Sequence, residues 1–158
     1  MVNNEAIVSI IGKLSTPCKK TLQKIVFLIE AKHVDLGCDY GIHFYGPYSS
    51  DLDFAVRELT DEGILSIEYT ALEHRISVLD DSGLEKYNNY TVDEVIEEFG
   101  KDSPSELELL ATALYVFIQA KDVGKVLDGV VKIKGSKYST QRICSAINRL
   151  QLTGYIAS

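Results

Sequence analysis

The chain has 158 residues, of which 46% are hydrophobic and 25% are charged. These values exclude an intrinsically disordered chain and a collagen-like repeat, and the length suits one domain or two small ones. The formal net charge is −7, but residues 51–100 carry 14 acidic and 3 basic side chains, whereas residues 101–158 carry 5 acidic and 8 basic ones. A uniformly basic nucleic-acid binder is therefore excluded, while a local basic surface is not.

Targeting signals and cysteines bear on where the protein works. No apolar run approaches the ~20 residues of a membrane span, and the first residues lack the pattern of a secretory signal peptide. Cys18, Cys38 and Cys144 are odd in number and lack the spacing of a metal site, which favours free thiols in a reducing compartment. We therefore expect a cytoplasmic protein without membrane association.

Capping residues and apolar spacing predict three helices before residue 63. The first is marked by apolar side chains at successive spacings of three, one and three residues. The second has Thr16 as its cap and Pro17 at its first position, where the missing N–H is not needed. The third is capped by Ser49 or Ser50 and ends at Gly63.

A short extended segment, residues 42–45, lies between the second and third predicted helices, and Gly46 and Pro47 predict the turn that follows it. Glycine adopts φ values that are closed to other residues, and proline fixes its own φ. Tyr45 and Tyr48 flank this predicted turn, where we expect them to pack the second helix against the third. A binding notch for a partner is the second interpretation of this motif.

The periodicity changes from helix to strand after the third helix. Residues 64–69 and 74–79 alternate in polarity and predict a β-hairpin. Ser82 then predicts the start of a short helix, and Thr91 with Glu94 forms a capping box for another.

Further helices are predicted in the C-terminal part. Residues 103–106 combine a serine cap, a proline at the first helical position and a glutamate, which is a strong helix start. Residues 123–131 mark another helix, and Ser139 caps the last one. Residues 154–156 resemble the beginning of a strand.

Three helices followed by a hairpin and a further helix are the order of a winged helix. We therefore predict a mostly helical α+β protein. Residues 1–100 would form a winged helix-turn-helix domain with a two-stranded wing, and residues 101–158 a helical C-terminal subdomain packed on it.

Residues 20–29, 44–49, 59–65 and 107–112 resemble the YwgA-type family of small bacterial and archaeal proteins. A lysine-bearing helix followed by Tyr45, Gly46 and Pro47 is also similar, more distantly, to the Panacea antitoxin domain. The resemblance implies a winged-helix fold and a non-enzymatic role, and it implies no particular partner.

The third predicted helix is the one that a winged helix normally presents to the DNA major groove. Between residues 51 and 62, however, it carries five acidic side chains and one arginine, and DNA phosphates would repel it. We interpret this helix and the preceding motif as a docking face for another protein. The candidate docking residues are Tyr45, Tyr48, Asp51, Asp53, Arg57 and Asp61.

The basic last helix supports a different interpretation. Arginine, glutamine and asparagine are the side chains that bind base edges in pairs of hydrogen bonds, and a helix N-terminus can hold a phosphate. The candidate contacts to duplex DNA are Lys137, Ser139, Thr140, Gln141, Arg142, Ser145, Asn148 and Arg149. A homodimer that keeps its acidic middle away from the duplex would present two such helices.

Catalytic chemistry has no support in the sequence. The histidines are scattered and no glycine-rich phosphate loop is present, so we expect no enzyme activity and no catalytic, cofactor-binding or metal-binding residues. The sequence favours a non-enzymatic protein-interaction module of the antitoxin or adaptor kind. The alternative is a DNA-binding transcriptional regulator that uses the basic last helix.

Overall fold

The structure, a computed structural model, describes residues 1–15 and 17–157. Within these residues it has seven α-helices, one short 3₁₀ helix and two two-stranded antiparallel sheets, which confirms a mostly helical α+β fold. The helices are α1 (Asn4–Lys13), α2 (Lys19–Glu30), α3 (Ser50–Asp61), α4 (Tyr90–Phe99), α5 (Pro104–Ala120), the 3₁₀ helix Val123–Lys125, α6 (Val126–Lys134) and α7 (Thr140–Leu152). The strands are β1 (Gly41–His43), β2 (Gly46–Tyr48), β3 (Leu65–Tyr69) and β4 (His74–Val78). None of the described helices is both long enough and apolar enough to span a bilayer.

The segment before α2 is extended. The prediction of Pro17 at the first helical position is wrong, because α2 begins at Lys19 with Cys18 at the cap position. The Pro17 carbonyl accepts a hydrogen bond from Ile76 N at 2.9 Å, and Cys18 pairs with a residue of β4. This pairing holds the segment beside the β3–β4 hairpin. The predicted cap, Thr16, lies outside the described residues.

Strands β1 and β2 form a hairpin, residues 41–48, which we call the aromatic hairpin. Its turn is Phe44 and Tyr45, so the prediction of a turn at Gly46 and Pro47 is wrong. Gly46 has a φ of +96° and begins β2, and a Cβ there would lie 2.9 Å from Thr112 Oγ1 of α5. Glycine is therefore required at this position for close approach to α5 as well as for its backbone conformation.

Helix α3 and the β3–β4 hairpin follow the sequence-based prediction. The Ser49 side chain caps α3 by accepting a hydrogen bond from Leu52 N at 3.2 Å. Gly63 has a φ of +78° just after α3. Strand β3 pairs with β4 from Leu65 opposite Val78 to the end of the hairpin.

The stretch before α4 differs from its prediction. No helix begins at Ser82: residues 80–89 form a loop, in which Leu84 and Tyr87 pack partly against the core and the rest is mainly polar. Two apolar residues are too few to bury a helical face. Helix α4 is capped by Asn89, which accepts a hydrogen bond from Val92 N, and not by the predicted capping box two residues later.

Helix α5 lies at the centre of the molecule and contacts α2, β2, α6 and α7. Its predicted cap Ser103 and the predicted cap Ser139 of α7 are both confirmed. No strand forms at residues 154–156, because Tyr155 N and Ile156 N both donate to Leu150 O and turn the chain back on α7. Buried side chains from before and after residue 100 form one hydrophobic cluster. The division into residues 1–100 and 101–158 stays a prediction.

Candidate functional site

A buried cluster of charged side chains lies beneath the aromatic hairpin. Glu108 of α5 accepts hydrogen bonds from Lys134, from Lys137 at 2.8 Å and from the Tyr138 hydroxyl at 3.0 Å. Burial alone would raise the pKa of Glu108, but these three hydrogen bonds outweigh it and hold that pKa below its usual range. Burial and the Glu108 carboxylate raise the pKa of Tyr138, so its hydroxyl stays a donor.

Two lysines connect this cluster to the backbone of the hairpin. Lys134 Nζ donates to the Phe44 carbonyl at 2.6 Å, and Lys24 Nζ donates to the Pro47 carbonyl at 3.0 Å. Lys24 is only 3% exposed, and burial lowers its pKa to about 8. The hairpin is thus held on both sides of its turn by ammonium groups from α2 and α6.

Three of the four segments that carry the family resemblance meet at this point. Lys24 comes from residues 20–29, Pro47 from residues 44–49, and Glu108 from residues 107–112. Neither Lys24 nor Glu108 is among the site residues predicted from the sequence. The available signal was a charged residue within an apolar run, since both lie between neighbours that the fold buries.

The turn of the aromatic hairpin exposes two rings. Phe44 is 81% exposed and Tyr45 is 48% exposed, and their centroids lie 5.0 Å apart in an edge-to-face arrangement. Lys20 Nζ lies 3.9 Å from the centroid of Tyr45. At the base of the same hairpin, the rings of His43 and Tyr48 lie 4.7 Å apart.

Four of the predicted docking residues lie around the N-terminus of α2. Asp53 forms ion pairs with Arg57 at 2.8 Å and with Lys19 at 3.7 Å. Burial would raise the pKa of Asp53, but these cations hold it below its usual range. Burial and the Asp53 carboxylate raise the pKa of Tyr48. Tyr45 joins this group through its contact with Lys20, the neighbour of Lys19.

The other two predicted docking residues lie elsewhere on α3. The Asp51 carboxylate accepts a hydrogen bond from the Asp39 backbone N–H at 3.2 Å. Asp61 is exposed at the last turn of α3. The predicted set therefore divides into a group at the hairpin and an exposed acidic stretch along the helix.

This stretch, the acidic face of α3, surrounds an exposed aromatic ring that the sequence analysis did not single out. Phe54 is 58% exposed, and residues three, four and seven positions apart lie on one helical face. Within residues 1–15 and 17–157, none of the four carboxylates of this face takes part in an ion pair. The acidic face consists of Asp51, Phe54, Glu58, Asp61 and Glu62.

The predicted DNA-contact residues divide into paired and free side chains. Arg149 pairs with Glu98 and Asp102 and lies over the ring of Phe99. Arg142 pairs with Glu106. The charges of these arginines are thus already partly neutralised inside the molecule.

The remaining candidates of this set lie around the N-terminus and along the surface of α7. Lys137 is bound to Glu108, and the Ser139 hydroxyl caps the helix by accepting a hydrogen bond from Arg142 N. The candidates that stay exposed on α7 without a side-chain hydrogen bond among the described residues are Thr140, Gln141, Ser145 and Asn148.

Metal-binding geometry and similarity to known proteins complete the description of the site. Among the described residues, no group of three or more histidine, cysteine, aspartate or glutamate side chains is arranged to hold a metal ion. No family model matches the chain. A stretch of 108 residues is 28% identical to the uncharacterized protein YwgA of Bacillus subtilis (strain 168). That match covers 61% of this chain and 63% of the length of YwgA, and it supports a YwgA-like relationship.

Proposed function

We propose that the chain is a winged-helix protein-interaction module that works in the cytoplasm. The fold part of this proposal is supported by the order of α1, α2, α3 and the β3–β4 hairpin. Pro17 and Cys18, which lie between α1 and α2, add a short extended neighbour to β4. The described cysteines are free thiols, which suits a reducing compartment.

The observation that carries the interaction proposal is Phe54 at the centre of the acidic face of α3. The exposed ring of Phe54 leaves apolar surface in contact with water. Aromatic side chains that become buried at an interface provide much of its binding energy. Carboxylates around it select a partner of opposite charge. We therefore assign to this face a protein segment that carries lysine or arginine around one apolar side chain.

Duplex DNA fits this face poorly. Phosphate contacts provide most of the non-specific affinity for DNA, and the four carboxylates of the acidic face would oppose them. Duplex binding through α7 is the alternative function, and the exposed polar side chains of that helix support it. The pairing of Arg142 and Arg149 with acidic neighbours weakens it.

A display library of random peptides, panned against the purified full chain, tests the proposal. We expect enriched peptides to combine basic residues with an apolar one. Phe54→Ala should weaken their binding about tenfold or more, because it removes the aromatic anchor. Reversing the charge at Glu58 and Asp61 to lysine should weaken it further.

The matched control is Asp128→Lys, which reverses an exposed carboxylate on α6, outside the acidic face. It should leave peptide binding unchanged, and all variants should unfold at the temperature of the wild type. Enriched peptides that lack basic residues, or that bind Phe54→Ala as tightly as the wild type, would exclude the acidic face as the docking surface.

A further inference from the structure

The aromatic hairpin lies in a locally positive region of an acidic protein. Three cationic side chains, Lys20, Lys24 and Lys134, contact the hairpin, and among the described residues only Lys134 of these three forms an ion pair. The whole chain has a net charge of −7. The positive charge near the hairpin therefore exceeds what the local ion pairs require.

Part of this excess charge lies in the protein interior. Lys24 and the side chain of Lys134 are both buried beneath the hairpin, and Glu108, which pairs with Lys134, is shared with Lys137. Charges in a region of low dielectric are poorly screened and project a positive potential to the nearby surface. Burial is the main cause of the low pKa of Lys24, and the neighbouring charges of Lys134 and Lys20 lower it further.

The surface above these charges is a protruding pair of aromatic rings. Phe44 is exposed on most of its surface, and the Tyr45 ring is braced by Lys20. Lys134 and Lys24 fix the backbone of the hairpin at and after its turn. The hairpin therefore loses little conformational entropy when a ligand binds.

We propose that the tip of the aromatic hairpin binds single-stranded nucleic acid. A base stacks on the exposed ring of Phe44, and Lys20, which pairs with no carboxylate among the described residues, contacts a neighbouring phosphate. Aromatic rings combined with a positive surface are the general means by which proteins hold single strands without reading their sequence.

The shape of the tip favours a single strand over the other polyanions. In duplex DNA the base faces are stacked on one another and cannot reach the ring of Phe44. An acidic protein segment would match the lysines, but its carboxylates cannot stack on the ring of Phe44. A flexible strand can wrap around a protruding pair of rings and place its phosphates beside the lysines.

This site is independent of the acidic face of α3, which has the opposite charge. Phe54 therefore supplies a matched control for Phe44, since both are exposed phenylalanines on the same molecule. A variant that affects one surface should leave binding at the other unchanged.

Fluorescence anisotropy with labelled dT and rU strands of about 12 nucleotides tests the proposal, since single-strand sites span about 4–16 nucleotides. The full chain should bind both strands at low salt. Phe44→Ala should weaken binding about tenfold, and Phe44→Leu should also weaken it, because an apolar side chain without a ring cannot stack. Lys20→Ala should reduce the steepness of the plot of log binding constant against log salt concentration by about 0.7. Phe54→Ala should bind as the wild type does.

Four results would overturn the proposal. They are the lack of an anisotropy change at low salt, equal binding by the wild type and both Phe44 variants, equal binding of an abasic strand, and equal binding of a duplex of the same length. Tighter binding of a glutamate-rich peptide that contains phenylalanine would assign the tip to an acidic protein instead. Phe44→Leu keeps the tip apolar, so a folding defect of Phe44→Ala would not prevent the comparison.

Discussion

The side-chain amide of Gln23 forms hydrogen bonds with both the carbonyl and the N–H of Ser49. Its Nε2 donates to the Ser49 carbonyl at 2.9 Å, and its Oε1 accepts from the Ser49 N–H at 2.8 Å. Gln23 belongs to α2, and Ser49 is the cap of α3. One amide side chain thus joins the two helices at the residue that follows the aromatic hairpin, in the way that a neighbouring strand would pair with it.

Gln23→Ala is expected to lower the free energy of unfolding by about 1–3 kcal/mol, because the buried N–H of Ser49 loses its partner while its carbonyl keeps the helical hydrogen bond from Asp53 N. Urea denaturation followed by circular dichroism measures this change. The matched control is Gln119→Ala, which removes an exposed glutamine from α5 and should change stability little. Equal stability of the two variants would mean that water replaces the lost hydrogen bonds.

The buried amine of Lys24 should make stability depend on pH above neutrality. Its pKa is about 8 in the folded protein, against about 10.4 for an unperturbed lysine. Between these values the unfolded chain binds more protons than the folded one, so stability rises with pH. The contribution is on the order of 3 kcal/mol, and below pH 8 the folded state bears this cost in full.

Lys24→Met should abolish that rise between pH 8 and pH 10. Burial raises the pKa of the Cys38 thiol to about 12. This shift makes stability fall as the pH rises, because the folded state keeps a proton that the unfolded chain loses. The difference between wild type and Lys24→Met isolates the lysine, since both proteins contain Cys38. Parallel curves of unfolding free energy against pH would contradict the assignment.

Arg149 is expected to stabilise the fold rather than to contact DNA. Its side chain is 26% exposed and connects α7 to Glu98, Asp102 and the ring of Phe99. Arg149→Ala should lower the free energy of unfolding by about 1–2 kcal/mol, because it removes packing as well as charge. Lys132→Ala, at an exposed position of α6, should change it by less than about 0.5 kcal/mol.

Arg149→Ala also distinguishes a stabilising role of the Arg149 side chain from contact of α7 with duplex DNA. If α7 contacts duplex DNA, Arg149→Ala will weaken low-salt binding to a labelled duplex while thermal unfolding stays unchanged. We expect the reverse pattern, a lower unfolding temperature and no specific effect on duplex affinity.

Much of the local structure was predictable from the sequence. Ser49, Ser103 and Ser139 each cap the helix that they were expected to cap, because a cap needs only its own side chain and the next turn of backbone. The helix predicted at Ser82 failed because two apolar residues cannot cover a helical face. The strand predicted at residues 154–156 failed because nearby carbonyls of α7 took its N–H groups.

The candidate site was only partly predictable. Tyr45, Tyr48, Asp53 and Arg57 were expected to act together, and the structure places them around one helix end. Phe44 was not singled out, because its exposure depends on the position of the turn. That position follows from contacts with residues more than 60 positions away along the chain.

The sequence by itself determined most of the helices, the serine caps of α3, α5 and α7, the β3–β4 hairpin, and the acidic middle and basic C-terminal part of the chain, since each depends on neighbours within a few residues. Only the tertiary structure decided which charges are free. Glu108, Arg142 and Arg149 are neutralised by partners brought in from distant segments, whereas the carboxylates of the acidic face and Lys20 remain available. Ion pairing depends on distance in space, and spacing along the chain does not reveal it when the partners lie on different helices.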